Sequence, residues 1–116
     1  MSKTTKDLLE FWEDQVKLSH TSSNYFFRKS PSHYHMMLIV MHSYKVGESL
    51  SVEELKTKLF KTSRPKSALM IKEACDKKFF TLEKKGKDNR KKYVLPTSDF
   101  VNEFNDYLKV LNNLSF

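Results

Sequence analysis

Residues 51–97 read SVEELKTKLFKTSRPKSALMIKEACDKKFFTLEKKGKDNRKKYVLPT, and most of the architecture can be predicted from them. Ser51 and Glu54 form a capping box, in which each side chain accepts a hydrogen bond from a free backbone N–H at a helix start. The sequence therefore predicts a short helix over residues 52–60. Its apolar positions have the spacing of one buried helix face: Val52, Leu55, Leu59 and Phe60.

A second helix is predicted after a polar turn at residues 61–64. Pro65 suits the first turn of this helix, because the N–H that proline lacks would have no partner there. The helix should reach about residue 78. We expect an inward face of Ser67, Met70, Ile71 and Ala74, and an outward set of Arg64, Lys66, Lys72, Glu73, Asp76 and Lys77.

A basic β-hairpin is predicted next, with strands at residues 79–83 and 91–95 and a turn at residues 84–89. Pro96 should end the hairpin, and Thr97 or Ser98 should cap a final helix. Two short helices, a tight turn and a hairpin follow each other in the order of a winged helix-turn-helix. The predicted fold class is therefore mainly α with a small β-hairpin, an α+β winged helix-turn-helix flanked by helices.

Helices are also predicted on the N-terminal side. The first covers residues 7–18, and the next begins after the N-cap Ser30 and Pro31 and runs to about residue 45, where Gly47 is placed to stop it. This later helix is apolar nearly all round, so it should be central in the core. The conformation between the two helices, which includes the aromatic cluster at residues 25–27, stays open.

The apolar face of the final helix is more surface than a small domain readily buries, so we predict that it packs against the first helix of a second copy of the chain. We interpret residues 1–116 as one winged-helix domain, with dimerisation segments at 1–30 and 97–116 and the helix-turn-helix plus wing at 50–96. The expected dimer contacts are Leu8, Trp12, Phe100, Phe104, Tyr107, Leu111 and Leu114.

Positive charge is concentrated in the helix-turn-helix and hairpin. The chain has a formal net charge of +7, and residues 56–92 contain fourteen Lys or Arg against four Asp or Glu, whereas the remainder is mildly acidic. Nucleic acid is the commonest partner of a basic domain of this kind. A solvated lysine-rich surface is the alternative that charge alone leaves open.

Several function classes are excluded or disfavoured by composition. Two glycines are too few for a dinucleotide fingerprint or a phosphate-binding loop. One cysteine cannot form an internal disulfide, which suits a reducing, cytoplasmic location. The longest apolar run, residues 36–41, is too short to span a bilayer, and acidic residues interrupt any signal-peptide pattern near the start.

No catalytic or metal-binding pattern is apparent in the sequence. His33, His35 and His42 have no cysteine or carboxylate at ligand spacing, and packing or surface roles are the simpler interpretation. Cys75 is expected to be a small buried residue, with redox control as the alternative. We therefore predict no metal, no cofactor and no enzymatic activity.

The sequence resembles the MarR family of transcriptional regulators, particularly its short single-module members. The resemblance runs from about residue 36 to 97 and depends on the segment SVEEL at 51–55, the amphipathic second helix and the wing sequence KDNRKKYVLPT at 87–97. Its most specific part is the Asp-x-Arg of Asp88 and Arg90. The resemblance implies a homodimer on a pseudo-palindromic site, with Arg90 reaching the minor groove and Asp88 orienting it. Lys78 stands where such proteins often have glycine.

We assign DNA-binding roles residue by residue. At the start of the second helix, Arg64 is the best candidate for reading a base, because its planar fork matches guanine. The predicted recognition-helix contacts are Ser63, Arg64, Lys66, Ser67 and Lys72, and the predicted wing contacts are Lys84, Lys85, Lys87, Asp88, Arg90 and Lys91. The expected partner is double-stranded DNA. The alternative is an adaptor whose basic face binds RNA or an acidic protein.

Overall fold

The computed structural model describes residues 5–17, 23–85 and 90–113. Within these ranges the chain folds into helices and a two-stranded antiparallel hairpin, an α+β arrangement consistent with a winged helix. The elements are α1 Thr5–Val16, α2 Ser23–Phe27, α3 Pro31–Lys45, α4 Val52–Lys58, α5 Arg64–Asp76, β1 Phe80–Lys84, β2 Lys92–Pro96 and α6 Ser98–Asn112. The predicted fold class is confirmed.

The capping box at the start of α4 forms as expected. The Ser51 hydroxyl accepts from the Glu54 N–H at 3.1 Å, and the Glu54 carboxylate accepts from the Ser51 N–H at 3.2 Å. However, α4 ends at Lys58, and the non-helical backbone of Leu59 carries Phe60 outward. Phe60 is 73% exposed, so its predicted burial is wrong. Its ring lies against His35, with centroids 5.5 Å apart.

The inward face of α5 is confirmed, because Ser67, Met70, Ile71 and Ala74 are all buried. The helix ends at Asp76, two residues earlier than predicted. Here the Phe79 N–H donates to the Ala74 carbonyl and the Lys78 N–H to the Cys75 carbonyl, both at 3.0 Å. This pair of bonds is a Schellman motif, and it requires Lys78 to adopt a positive φ of 65°.

The end of α3 has the same motif with the residue type that it favours. The Glu48 N–H donates to the Ser43 carbonyl at 2.9 Å, and Gly47 has a φ of 74°. The prediction that Gly47 stops this helix is confirmed. Two helices of the chain thus end in the same way, one with glycine and one with lysine at the left-handed position.

The hairpin starts one residue later than predicted, because the Phe79 N–H is used in closing α5. Phe80 pairs with Pro96 at one end of the ladder and Lys84 with Lys92 at the other. An isolated bridge joins Ser51 to Tyr93, and the Val94 N–H donates to the Leu50 carbonyl at 2.8 Å. These bonds fix the hairpin to the start of α4.

The core lies around α3 and a cluster of phenylalanine rings. The predicted central position of α3 is confirmed, since Met36, Met37, Val40 and Met41 are all buried. The segment left open by the sequence contains α2, which places Phe26 and Phe27 in the core. The ring of Phe27 contacts those of Phe79, Phe80 and Phe100, with centroids 5.1 to 5.5 Å apart.

Two expected dimer residues belong to this core instead. Phe100 and Phe104 on α6 are 2% and 6% exposed, so they pack within their own chain and are not available to a second copy. Tyr107 and Leu111 are half-buried, whereas Leu8 and Trp12 on α1 are exposed. Leu114 lies outside the described residues.

Candidate nucleic-acid interface

The start of α5 presents the predicted recognition residues in two different environments. Ser63 is the N-cap, and its hydroxyl accepts from the Lys66 N–H at 3.3 Å, while the side chains of Arg64 and Lys66 are exposed. Ser67 is fully buried, and its hydroxyl donates to the Ser63 carbonyl at 3.0 Å. Ser67 therefore stabilises the turn before α5, and its predicted contact with DNA is corrected.

Glu53 on α4 is the counterion of two basic side chains. Its carboxylate is paired with the Arg64 guanidinium and accepts a hydrogen bond from the Lys56 ammonium at 3.3 Å. The hydrogen bond from Lys56 is the largest cause that holds the pKa of Glu53 below its ordinary value, with Arg64 adding to it. Glu53 thus stays ionised and keeps Arg64 close to α4.

Lys72, on the exposed side of α5, also has an acidic partner. Its ammonium lies 2.9 Å from the Asp76 carboxylate, one turn further along the helix. This hydrogen bond raises the pKa of Lys72 above its ordinary value. Such exposed pairs contribute little to stability, so an anionic ligand can compete for the lysine.

A groove of about 690 Å³ lies between the start of α4, one side of α5 and the hairpin. We call it the α5–hairpin groove. Its apolar floor consists of Val52, Ala68, Ile71, Cys75 and Leu82. Its charged lining consists of the basic residues Lys56, Lys72, Arg90, Lys91 and Lys92 and the acidic residues Glu53 and Asp76. Basic residues from α4, α5 and the hairpin are therefore brought together on one surface.

The hairpin carries further lysines besides those that line the groove. Lys84 and Lys92 are direct partners in the ladder, so they share one face of the hairpin. The Lys85 ammonium lies 3.3 Å from the Ser49 hydroxyl and 5.3 Å from the centre of the Tyr93 ring, and Lys91 lies 5.7 Å from the same ring. Arg90 is exposed. The predicted wing contacts Lys87 and Asp88 lie outside the described residues.

Sequence reasoning missed Lys56 and the acidic partners Glu53 and Asp76. The spacing of Lys72 and Asp76 was available as an i,i+4 pair on one helix. No helical spacing connects Glu53 with Arg64, because they belong to different helices that the turn at residues 59–63 brings together.

The remaining candidate residues take ordinary packing positions. Cys75 is half-buried, and burial raises the pKa of its thiol, with Asp76 adding to the effect. His33 is buried with its ring 2.7 Å from the Ser30 hydroxyl, and burial lowers its pKa.

Within the described ranges, no group of three or more His, Cys, Asp or Glu could hold a metal ion. The described helices also lack the length and apolar character needed to cross a bilayer.

A second cluster joins α3 to α6, away from the groove. The Arg28 guanidinium lies between the rings of Tyr34 and Tyr107, 4.7 and 4.6 Å from their centres. The two tyrosine hydroxyls are 2.7 Å apart. Burial, assisted by the hydrogen bond with Tyr34, raises the pKa of Tyr107 to about 12. This cluster fixes the middle of α6 against the start of α3.

The protein has the same overall fold as a protein of known structure. The chain is similar in fold to apo (heme-free) PefR. The crystal structure of that protein superposes with a TM-score of 0.50 at 18% sequence identity, covering 95% of each chain. No protein-family model and no curated protein matches the sequence. At this identity the likeness to PefR concerns the architecture, which extends over nearly the whole of both chains.

Proposed function

We propose that the protein is a sequence-specific, double-stranded DNA-binding transcriptional regulator of the MarR type. The observation that carries the proposal is the α5–hairpin groove, where five basic side chains from three elements face two acidic ones. A net positive groove beside an exposed helix is complementary to an anionic duplex. The winged-helix arrangement and the likeness to PefR support the same interpretation.

The proposed complex has α5 in the major groove and the hairpin against the neighbouring minor groove. A phosphate strand separates these two grooves of B-DNA, so it would cross the protein between α5 and the hairpin. Lys56, Lys72 and Lys92 line the α5–hairpin groove at that place. They would neutralise phosphates and supply most of the affinity.

The roles of single residues follow from their exposure. Arg64 is proposed to read a base, and the exposed lysines to contact phosphates: Lys66, Lys72, Lys84, Lys85 and Lys91. Ser63 would contribute through the helix start that it caps. Arg90 is proposed for the minor groove, with Lys87 and Asp88 assigned to the wing from the sequence.

We propose that the protein acts as a homodimer through α1 and α6. Leu8, Leu9 and Trp12 make α1 apolar on its exposed surface, and Val110 adds to the exposed surface of α6. Sedimentation should give a dimer mass for the wild type and a monomer mass for Trp12→Asp. Tyr44→Asp changes a comparably exposed aromatic residue on α3 and should leave the dimer intact. Equal masses for the two variants would contradict this interface.

Competition between ligands tests the proposed function itself. Labelled duplex with a random central sequence should be displaced by unlabelled duplex far better than by a structured RNA or an acidic peptide. One round of fragment selection should then yield an inverted repeat, because a symmetric dimer binds two half-sites. Preferential displacement by RNA or by the peptide would instead indicate the adaptor function.

A further inference from the structure

Leu69 is an exposed leucine in the middle of the most basic part of the chain. It is 56% exposed and is the one large apolar side chain on α5 with this exposure in the described structure. The buried face of α5 is formed by Ser67, Met70, Ile71 and Ala74, so Leu69 lies on the opposite, outward side. The exposed residue Ala68 is its neighbour in the chain.

Two lysines flank Leu69 on the helix surface. Lys66 and Lys72 are three residues before and after it, which places them next to Leu69 on an α-helix. Both lysine side chains are exposed. Glu73, four residues after Leu69, is paired with Lys29 at 3.8 Å, and Asp76 is paired with Lys72 at 2.9 Å. Leu69 therefore lies between two exposed lysines, and the complement of this part of α5 is a surface with an apolar centre between negative charges.

The major groove of DNA presents an apolar group between negative charges wherever a base pair includes thymine. Phosphates border the groove on both sides, and the C5-methyl group of thymine is the apolar group that the base pairs present on its floor. Guanine, cytosine and adenine present only donors and acceptors there. A leucine on the face of a helix in this groove can therefore distinguish thymine from the other bases.

We infer that Leu69 contacts the C5-methyl group of a thymine in each half-site and thereby determines specificity for that base. The inference rests on the proposed function and adds to it a second means of reading sequence. Arg64 would read a hydrogen-bonding edge at the start of α5, whereas Leu69 would read a methyl group five residues further along the helix. The preferred half-site should accordingly contain a thymine at a fixed distance from the base contacted by Arg64.

Replacement of thymine by deoxyuridine tests this contact, because the two bases differ only by the methyl group. The duplex selected from random sequence is remade with deoxyuridine at one thymine position at a time, changed in both half-sites. At one position the affinity of the wild type should fall about fourfold for each buried methyl, and about fifteenfold for the symmetric pair. Leu69→Ala should bind the thymine and deoxyuridine duplexes equally.

Leu38→Ala is the matched control, since Leu38 is 41% exposed but lies on α3. This variant should discriminate between the two bases as the wild type does. If the wild type binds its selected duplex and no deoxyuridine replacement weakens it, Leu69 does not read thymine, although the proposed function stands. The same conclusion follows if Leu69→Ala keeps the discrimination, or if it changes the oligomer mass. Failure to select any duplex would contradict the proposed function as well.

Discussion

Arg64 at the first turn of α5 is paired with Glu53 of α4, although eleven residues separate them in the chain. Glu53 also accepts from Lys56, so one carboxylate neutralises part of the positive charge on two helices. In the proposed complex, the arginine assigned to reading a base is therefore already paired before DNA binds. A guanine edge or a phosphate would then have to replace the carboxylate.

Removing this carboxylate should strengthen DNA binding. Glu53→Gln releases Arg64 and Lys56, and we expect the affinity for duplex to rise about two- to fivefold at low salt, the range for an exposed ion pair. Fluorescence anisotropy with labelled duplex measures the change. Glu13→Gln makes the same charge change on the exposed surface of α1. Equal gains in both variants would show that net charge, not the pair with Arg64, is responsible.

Arg64 and Lys85 should affect binding in different ways. Arg64→Ala should reduce the preference for the selected site over random duplex by about tenfold or more, since a bidentate base contact provides that discrimination. Lys85→Ala should weaken both duplexes alike and lower the salt slope by about one, as for a lost phosphate contact. Titrations of both duplexes at several salt concentrations separate these effects. Unchanged binding in both variants would place the contact surface elsewhere.

Affinity for duplex should depend strongly on salt. A dimer that makes roughly 6 to 10 phosphate contacts should lose about 10³ to 10⁵ in affinity between about 50 and 200 mM salt. The measurement is a series of binding isotherms at increasing salt. A flat response would remove the electrostatic basis of the proposed interface.

The two Schellman motifs predict a stabilising substitution. Lys78 has a positive φ, which costs a residue with a side chain about 1 kcal/mol relative to glycine. Lys78→Gly should therefore raise the free energy of unfolding by about 1 kcal/mol, as measured by urea denaturation. Lys77→Gly, at the neighbouring C-cap with a φ of −83°, should give no such gain.

Gly47→Ala provides the reverse test at the end of α3. The added Cβ would have no atom within 4 Å, so the backbone conformation alone determines its cost. We expect a loss of about 1 kcal/mol in the free energy of unfolding. If Lys78→Gly and Gly47→Ala shifted stability in the same direction, the motif would not explain either effect.

The tyrosine cluster should be visible in an alkaline titration. Tyr107 has a pKa raised to about 12, so an absorbance titration of the folded protein should contain a late phenol that Tyr107→Phe removes. Because the folded state holds this proton more tightly than the unfolded state, its contribution to stability is complete below about pH 10 and is lost as pH rises toward 12. Tyr34→Phe should lower this pKa. Early titration of Tyr107 would contradict its burial.

The sequence predicted the elements better than the contacts between them. Caps and breakers act locally, so Ser30, Ser51 and Gly47 can be assigned correctly from their neighbours alone. The cap of the last helix is narrowed to Thr97 or Ser98, and the structure has Thr97. The predicted burial of Phe60 is wrong because an apolar residue just past a helix end follows the turn and not the helical period. The predicted end of α5 is two residues too late, because a lysine at position 78 gives little indication that the backbone turns left-handed there.

The candidate site was only partly predictable for a related reason. The charge count locates the basic segment, but burial decides which of its residues can contact a ligand. Ser67 is buried and therefore cannot be one of them. The same holds for Phe100 and Phe104, whose helical spacing describes an apolar face without saying which surface covers it. In this chain α2 brings Phe27 against Phe100, and no pattern in residues 19–31 predicted that contact.

Thr97 connects α5, which is proposed to recognise DNA, with α6, which is proposed to form the dimer. Its hydroxyl donates to the Lys78 carbonyl at 2.8 Å and accepts from the Phe100 N–H at 3.3 Å, so one side chain joins the end of α5 to the beginning of α6. In a dimer formed through α6, this connection would hold the α5 helices of the two copies at a nearly fixed distance from each other. An operator should then tolerate base changes in its spacer but not the insertion of a single base pair.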